Sequence, residues 1–214
     1  MKVTQNSESS MSKNEPLPYY RQNALSYVEA TVEIDMSAVY DRFLKYVVQG
    51  GLILDAGSGS GRDTLAFLRR GYQVEAFDES QELCEFSTRI TGLKTSCIRF
   101  QDFNSPPKYD GIWACASLLH VPLAELDDVV RNLVRALKSS GAFYLSFRYG
   151  TKERIAADGR HFTDMDEDAT RRLLNAIPDL RIAEIWRSGG EGVHHGKDVW
   201  LNAIALVNRK HLVA

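Results

Sequence analysis

Short apolar runs alternate with amphipathic stretches through the middle of this 214-residue chain. Leu52-Ile53-Leu54 is a continuous apolar run, as expected of a strand that is buried on both faces. Comparable runs predict further strands at 72–77, 95–100, 111–115 and 142–147. Helical spacing and stop signals predict helices at 62–70, 81–90, 123–137 and 166–176. This alternation predicts a mostly parallel sheet with right-handed crossovers.

The two ends of the chain depart from this alternation. Two helices, at 20–31 and 37–48, are predicted before the first strand, with Ser37 as the N-cap of the second. Two late strands, at 180–187 and 199–207, have no helix between them. We therefore expect the late strands to pair antiparallel as a hairpin at the end of the parallel sheet.

Domain organisation follows from the same pattern. Residues 1–15 are polar and without periodicity, so we interpret them as a disordered tail. The rest, 16–214, shows no internal repeat and no linker, which predicts a single domain. Its first part, about 16–50, is expected to form a helical cap.

Composition excludes several classes of protein. The chain is 44% hydrophobic and 25% charged, with a net charge of -2, so nothing indicates a general attraction to nucleic acid or to anionic membranes. No apolar run approaches the roughly 20 residues of a membrane helix, and the polar first residues lead us to expect no secretory signal. The cysteines have no metal-binding spacing, and we expect no metal. We expect a cytoplasmic protein that is a monomer or a homodimer.

A glycine-rich segment, Asp55-Ala-Gly57-Ser-Gly59-Ser-Gly61, joins the first predicted strand to the first predicted helix. Glycines there permit a tight turn and let a ligand lie against bare backbone, and the helix N-terminus favours an anionic group. The segment lacks the Gly-Lys-Ser/Thr ending of a phosphate loop, and Arg62 stands where a nicotinamide fingerprint needs its third glycine. A turn that merely needs glycine is the alternative interpretation.

Further side chains belong to the same predicted sheet edge. Asp78 ends the second strand, where an acid can accept hydrogen bonds from both hydroxyls of a ribose. Asp102 follows the third strand, where it could accept from an adenine amine while Phe103 packs on the ring. Ser117-Leu-Leu-His120 leaves the fourth strand. Ligands of open α/β sheets bind outside these carboxyl ends.

Four segments in this order resemble the class I S-adenosylmethionine-dependent methyltransferases: LDAGSGSG, FDES, FQDF and YDGIWACASLLHVP. The resemblance covers roughly residues 20–207, and within the superfamily the chain is similar to small free-standing enzymes of the tellurite-resistance type. It implies a Rossmann-like three-layer α/β sandwich with a seven-stranded sheet whose last strand is antiparallel. It also implies S-adenosyl-L-methionine as the cofactor and methyl transfer as the reaction.

The resemblance assigns roles to individual residues. Gly57 and Gly59 would hold the methionine part of the cofactor, Asp55 would orient the loop, and Ala116 would lie near the sulfonium. Arg62 could pair with the cofactor carboxylate or simply be solvated. The full predicted set of cofactor contacts is Asp55, Gly57, Ser58, Gly59, Arg62, Asp78, Glu79, Gln101, Asp102, Phe103 and Ala116.

The acceptor side is less determined. Methyl transfer requires alignment above all, and a base only if the acceptor must first lose a proton. His120 is the candidate catalytic base, with a local hydrogen bond at the following turn as the alternative. The predicted acceptor contacts are Tyr20, Tyr27, His120, Arg148 and Tyr149. Cationic loop residues, namely Arg148, Arg160, His161, His194, His195 and Lys197, predict an anionic acceptor.

The kind of acceptor leaves alternatives open. The chain has no strong basic stripe, and Cys115-Ala-Ser-Leu118 stands where amino-methylating nucleic-acid enzymes carry an Asn-Pro-Pro-Tyr-type segment. We therefore predict a small-molecule acceptor. A protein or RNA acceptor is the main enzymatic alternative, and a protein that binds S-adenosylmethionine without transferring methyl is the other.

Overall fold

Alternating helices and strands extend through the computed structural model, which describes residues 18–189 and 199–209. The first half contains α1 (Pro18–Thr31), α2 (Ser37–Leu44), β1 (Leu52–Ala56), α3 (Arg62–Arg69), β2 (Gln73–Asp78), α4 (Gln81–Thr91), β3 (Thr95–Cys97) and β4 (Tyr109–Ala114). The second half contains α5 (Leu123–Arg135), β5 (Leu137–Arg148), β6 (Glu153–Ile155), β7 (His161–Thr163), α6 (Glu167–Asn175), β8 (Leu180–Gly189) and β9 (Val199–Val207).

Seven strands form one sheet in the order β3-β2-β1-β4-β5-β9-β8. The pairs among β1 to β5 are parallel, and β9 runs antiparallel to both β5 and β8. The predicted mostly parallel sheet with a late antiparallel hairpin is therefore confirmed. The strand order reverses between β1 and β4, which makes the carboxyl ends of these two strands the expected ligand crevice.

Helices cover both faces of the sheet, because its central strands are apolar on both sides. On one face α5 buries Leu126, Val130 and Leu133 among the residues of a large apolar core. On the other face, Phe43 of α2 and Phe67 of α3 pack against Trp113 of β4, in an aromatic cluster that includes Tyr40 and Tyr144. This arrangement is the predicted three-layer sandwich.

Several boundaries differ from the prediction. The N-cap of α2 is Met36, not Ser37 as predicted. The backbone N–H of Ser37 donates to the Asp35 carboxylate at 2.8 Å. α2 ends at Leu44. β3 ends at Cys97, and the chain then makes a 3₁₀ turn over Phe100–Asp102. The small β6–β7 hairpin was not predicted, because each of its strands has only three residues.

Two predictions fall on parts of the chain outside the described residues. These are the tail at 1–15 and the loop that carries His194, His195 and Lys197. Within the described ranges, no helix combines the length and the apolar character that crossing a bilayer would need.

Candidate active site

The glycine segment lies between the ends of β1, β2 and β4. The backbone N–H groups of Gly57 and Ser58 both donate to the Phe77 carbonyl at 2.9 Å. Gly57 has φ +77, and a Cβ there would lie 2.5 Å from the Ser117 Cβ. Gly59 has φ +53, and a Cβ there would lie 3.0 Å from the Tyr27 hydroxyl oxygen. The loop therefore needs glycine both for its backbone angles and for this close packing.

Asp78 connects the glycine loop to the start of α4. Its Oδ2 accepts from the Gly59 N–H at 2.8 Å, and its Oδ1 accepts from the Ser80 N–H at 3.0 Å. Burial raises the pKa of this carboxyl, and the backbone N–H groups oppose that shift. Each oxygen still has a free lone pair, so the carboxylate can accept hydrogen bonds from a diol as predicted for the ribose.

A cavity opens directly above this loop, with about 640 Å³ of empty space when its open mouth is included. It is lined by Tyr20, Tyr27, Gly57, Gly59, Asp78, Glu79, Ser80, Leu83, Phe100, Gln101, Ala116, Ser117, His120 and Val121. Most of the predicted cofactor and acceptor residues therefore line one space. Sequence reasoning missed Ser80, Leu83, Phe100, Ser117 and Val121, although each lies within a few residues of a predicted one.

His120 has a defined protonation pattern. Its Nδ1 lies 2.8 Å from the His161 carbonyl oxygen, and its Nε2 lies 3.2 Å from the Tyr20 hydroxyl. A carbonyl only accepts, so Nδ1 carries the hydrogen and Nε2 accepts from the tyrosine. Burial lowers the pKa of His120 to about 4, and its bond to the His161 carbonyl opposes the shift. The imidazole is therefore neutral near pH 7 and is a weak base.

Acidification is expected to destabilise the fold through His120. Between pH 6.5 and about 4 the unfolded imidazole is protonated while the folded one stays neutral, so protons favour the unfolded state. The effect has an upper limit of about 3 kcal/mol, reduced by solvent in the cavity. Urea unfolding at pH 7, 5.5 and 4 measures it. His120→Gln should lose less stability over this window than the wild type, and equal losses would contradict the assignment.

Arg62 does not face the cavity, which corrects its prediction as a partner for the cofactor carboxylate. Its Nε and a terminal nitrogen donate to the two oxygens of Asp63 at 2.6 and 3.0 Å. Asp63 also accepts from Trp113 Nε1 at 2.8 Å and from the Tyr40 hydroxyl. Burial opposes ionisation of Asp63, but Arg62 and these donors hold the pKa of its carboxyl below the usual range. Arg62 is thus bound up in a buried network behind the glycine loop.

Asp102 and Phe103 are also absent from the cavity lining. Asp102 pairs with Arg99 at 2.7 Å, and 53% of its side chain is exposed. Phe103 is buried and stacks on Phe77 with ring centroids 5.2 Å apart. The reason is the 3₁₀ turn over Phe100–Asp102, because its residues do not alternate between two faces as the residues of an extended strand would. Phe100 and Gln101 line the cavity in their place.

Arg148 and Tyr149, predicted to contact the acceptor, lie outside the cavity lining as well. The Arg148 guanidinium is 5.4 Å from the centre of the Phe162 ring. Tyr149 stacks with Arg187 at 3.9 Å. Arg148 is the last residue of β5 and lies near Phe162 of β7, whereas Tyr149 follows β5 and contacts Arg187 of β8, so both side chains have partners away from the cavity lining.

Two predicted residues lie behind the loop. Asp55 is buried, and its Oδ2 accepts from the Thr64 hydroxyl at 2.6 Å, which ties β1 to the first turn of α3. This contact agrees with the loop-orienting role predicted for Asp55. The Ser58 hydroxyl is buried and has no hydrogen-bond partner among the described residues.

Comparisons with known proteins agree with this geometry. Residues 53–141 match a family model described as a methyltransferase domain. An uncharacterized methyltransferase of Staphylococcus carnosus (strain TM300) is 22% identical over 192 residues, which cover 83% of this chain and 93% of that one. The finer resemblance to tellurite-resistance-type enzymes stays a prediction.

Solved structures share the fold at low identity. A SAM-dependent methyltransferase from Methanosarcina mazei superposes with a TM-score of 0.73 at 17% identity, covering 83% of this chain and all of the other. The 1,6-didemethyltoxoflavin-N1-methyltransferase of Burkholderia thailandensis gives 0.67 at 17% identity, covering 97% and 99%. Residues 53–141 are thus a methyltransferase domain, and the sheet order and glycine loop described above are those of the class I S-adenosylmethionine-dependent methyltransferase fold.

Proposed function

We propose that the protein transfers a methyl group from S-adenosylmethionine to a small-molecule acceptor bound beneath α1. The observation that carries this proposal is the continuity of the cavity. Asp78 and the glycine loop line the same cavity as Tyr20 and His120. A cofactor and an acceptor can therefore meet in one cavity.

The residues at the glycine-loop end fit the cofactor. Gly57 and Gly59 leave a cradle that a Cβ would fill, and Asp78 offers carboxylate oxygens for the ribose hydroxyls. Phe100 and Gln101 line the same end and would lie against the adenine. When bound, S-adenosylmethionine supplies an electrophilic methyl group on a sulfonium sulfur. The chain contributes mainly alignment and exclusion of water, since the leaving group is good.

The cover over the cavity favours a small acceptor. Tyr20 and Tyr27 of α1 line the cavity, and their rings pack edge to face with centroids 5.2 Å apart. α1 also contacts α4 across the site. In this proposal α1 is part of the N-terminal cap, and a folded protein or an RNA duplex would have to displace it. The structural neighbour from Burkholderia thailandensis binds 1,6-didemethyltoxoflavin, which is itself a small molecule.

Methyl-labelled S-adenosylmethionine tests this proposal. The protein is incubated with the labelled cofactor and a cell extract, and the products are separated by size. We expect label in the small-molecule fraction, with none when the Asp78→Ala variant replaces the wild type. Label confined to protein or RNA would show a macromolecular acceptor. Binding of S-adenosylhomocysteine without transfer to either fraction would show a non-catalytic binding protein.

A further inference from the structure

Among the residues that the structure describes, no cationic side chain lines the acceptor end of the cavity. Tyr20, Tyr27, His120 and Val121 surround it. The charged side chains among the described residues of the lining are those of Asp78 and Glu79, both acidic, and His120 is neutral near pH 7. Such a lining favours an uncharged or cationic acceptor. It does not support the anionic acceptor predicted from the loop cations.

Arg160 is a cation that lies near Tyr20 at this end, and its charge is already matched. It donates to Asp158 Oδ2 at 3.0 and 2.7 Å through its Nε and a terminal nitrogen. Its guanidinium lies 3.9 Å from the centre of the Tyr19 ring, and its charge opposes the rise in the pKa of Tyr20 that burial causes. The charge of Arg160 is therefore paired with Asp158 and is not free for a carboxylate or phosphate ligand.

The Tyr20 hydroxyl can act only as a hydrogen-bond acceptor towards a ligand in the cavity. Because His120 Nε2 accepts the phenolic hydrogen, Tyr20 cannot donate that hydrogen to a ligand at the same time. A phenol oxygen that donates its hydrogen still has lone pairs, and these can only accept. A molecule that contacts Tyr20 must therefore present an N–H or an O–H.

The weak basicity of His120 distinguishes an acceptor that presents an N–H from one that presents an O–H. The Nδ1–H of His120 bonds to the neutral His161 carbonyl rather than to a carboxylate, and burial lowers the pKa of the ring, so the imidazole is a poor acceptor for the proton of an alcohol or a phenol, whose pKa is about 10 or higher. An oxygen acceptor would need that proton removed before it could attack. A weakly basic nitrogen is uncharged near pH 7, attacks with its own lone pair, and after methylation releases its proton readily. It therefore needs just a weak base.

We propose that the Tyr20 hydroxyl, held by His120, contacts the methyl acceptor, and that the acceptor is an uncharged nitrogen compound that carries an N–H. This inference rests on the proposed function. The nitrogen lone pair forms the new C–N bond, and the C–S electrons stay with sulfur. The nitrogen proton then passes to the Tyr20 oxygen while Tyr20 passes its own proton to His120 Nε2, from which it returns to solvent.

The atom that is methylated tests the acceptor class. Small molecules from a cell extract are divided by ion exchange into anionic and non-anionic fractions, and each is incubated with the protein and ¹³C-methyl S-adenosylmethionine. We expect an N-methyl carbon signal from the non-anionic fraction. An O-methyl, S-methyl or C-methyl product, or product from the anionic fraction alone, would overturn the inference and leave the proposed function intact. No small-molecule product in either fraction would overturn both.

Tyr20→Phe tests the contact, and Tyr19→Phe is its matched control on the same helix. With the active fraction as acceptor, Tyr20→Phe should lower kcat/KM by about tenfold, the effect of losing one hydrogen bond to a developing charge, while Tyr19→Phe stays within about twofold. Both variants should bind S-adenosylhomocysteine like the wild type. In ¹⁵N spectra the His120 Nε2 signal should move in Tyr20→Phe alone. Unchanged turnover or an unchanged Nε2 signal in Tyr20→Phe would overturn the role of Tyr20.

Discussion

Replacing Asp78 with alanine is expected to weaken the binding of S-adenosylhomocysteine by about 100-fold. The variant loses two charge-assisted hydrogen bonds to the ribose hydroxyls, each worth at least about 1.4 kcal/mol. It also releases the N–H groups of Gly59 and Ser80, which the carboxylate holds at 2.8 and 3.0 Å. Isothermal titration calorimetry measures the change in affinity.

Glu75→Ala is the matched control for that experiment. Glu75 lies on the same strand, β2, but pairs with Lys108 at 2.7 Å and does not line the cavity. Its removal should leave the affinity for S-adenosylhomocysteine unchanged. Asp78→Asn keeps one accepting oxygen and should fall between the wild type and Asp78→Ala. If Asp78→Ala binds within about threefold of the wild type, Asp78 does not hold the ribose.

Asp63→Ala is expected to lower the free energy of unfolding by about 3–5 kcal/mol, the usual cost of leaving a buried charge without its partner. Asp63 is 6% exposed and accepts from Arg62, Tyr40 and Trp113. Its loss strands the Arg62 guanidinium and two further donors in the aromatic cluster. Chemical denaturation at pH 7 measures the change.

Two further variants make this prediction specific. The double replacement Arg62→Met with Asp63→Leu removes both charges and should recover part of the lost stability, because apolar substitutes for a buried ion pair are often tolerated. Asp102→Ala breaks the exposed pair with Arg99, which lies at 2.7 Å, and should change stability very little. A loss below about 1 kcal/mol in Asp63→Ala would contradict the importance of the buried network.

The fold was predictable because its signals are local. Buried parallel strands are short apolar runs, and Gly57, Gly59 and Gly61 form a strand–helix turn that glycine alone accommodates at these positive φ angles. The absence of a helix between β8 and β9 predicted their antiparallel pairing, which the structure confirms. These features depend on neighbours in the chain.

The errors at the site have a common cause, which is contact between distant segments. The sequence suggests that Arg62, at the start of a helix, is a free cation. In the structure the neighbouring Asp63 accepts from Tyr40 and Trp113, and Arg62 donates to the same Asp63 carboxylate. Asp102 was expected on a strand, but the chain turns at Phe100 and exchanges the exposed and buried positions. Neither a distant packing partner nor a 3₁₀ turn can be recognised from the spacing of apolar and polar residues in the sequence.

The polarity of the acceptor end depends on the longest of these contacts. Tyr20 and His120 are 100 residues apart, and the carbonyl that fixes the His120 tautomer belongs to His161 in β7. The sequence identified His120 as a candidate base from its place after β4. Its neutral state and its bond to Tyr20 emerge only when α1 and the β6–β7 hairpin meet at the cavity.

A crystal structure with S-adenosylhomocysteine bound tests the central claim most directly. We predict that the ribose hydroxyls contact Asp78, that the adenine lies beside Phe100 and Gln101, and that the sulfur lies next to Ala116. The space beyond the sulfur should be bounded by Tyr20 and His120. A complex in which the ligand lies away from Asp78, or in which its sulfur points away from Tyr20 and His120, would contradict both the site and the acceptor assignment.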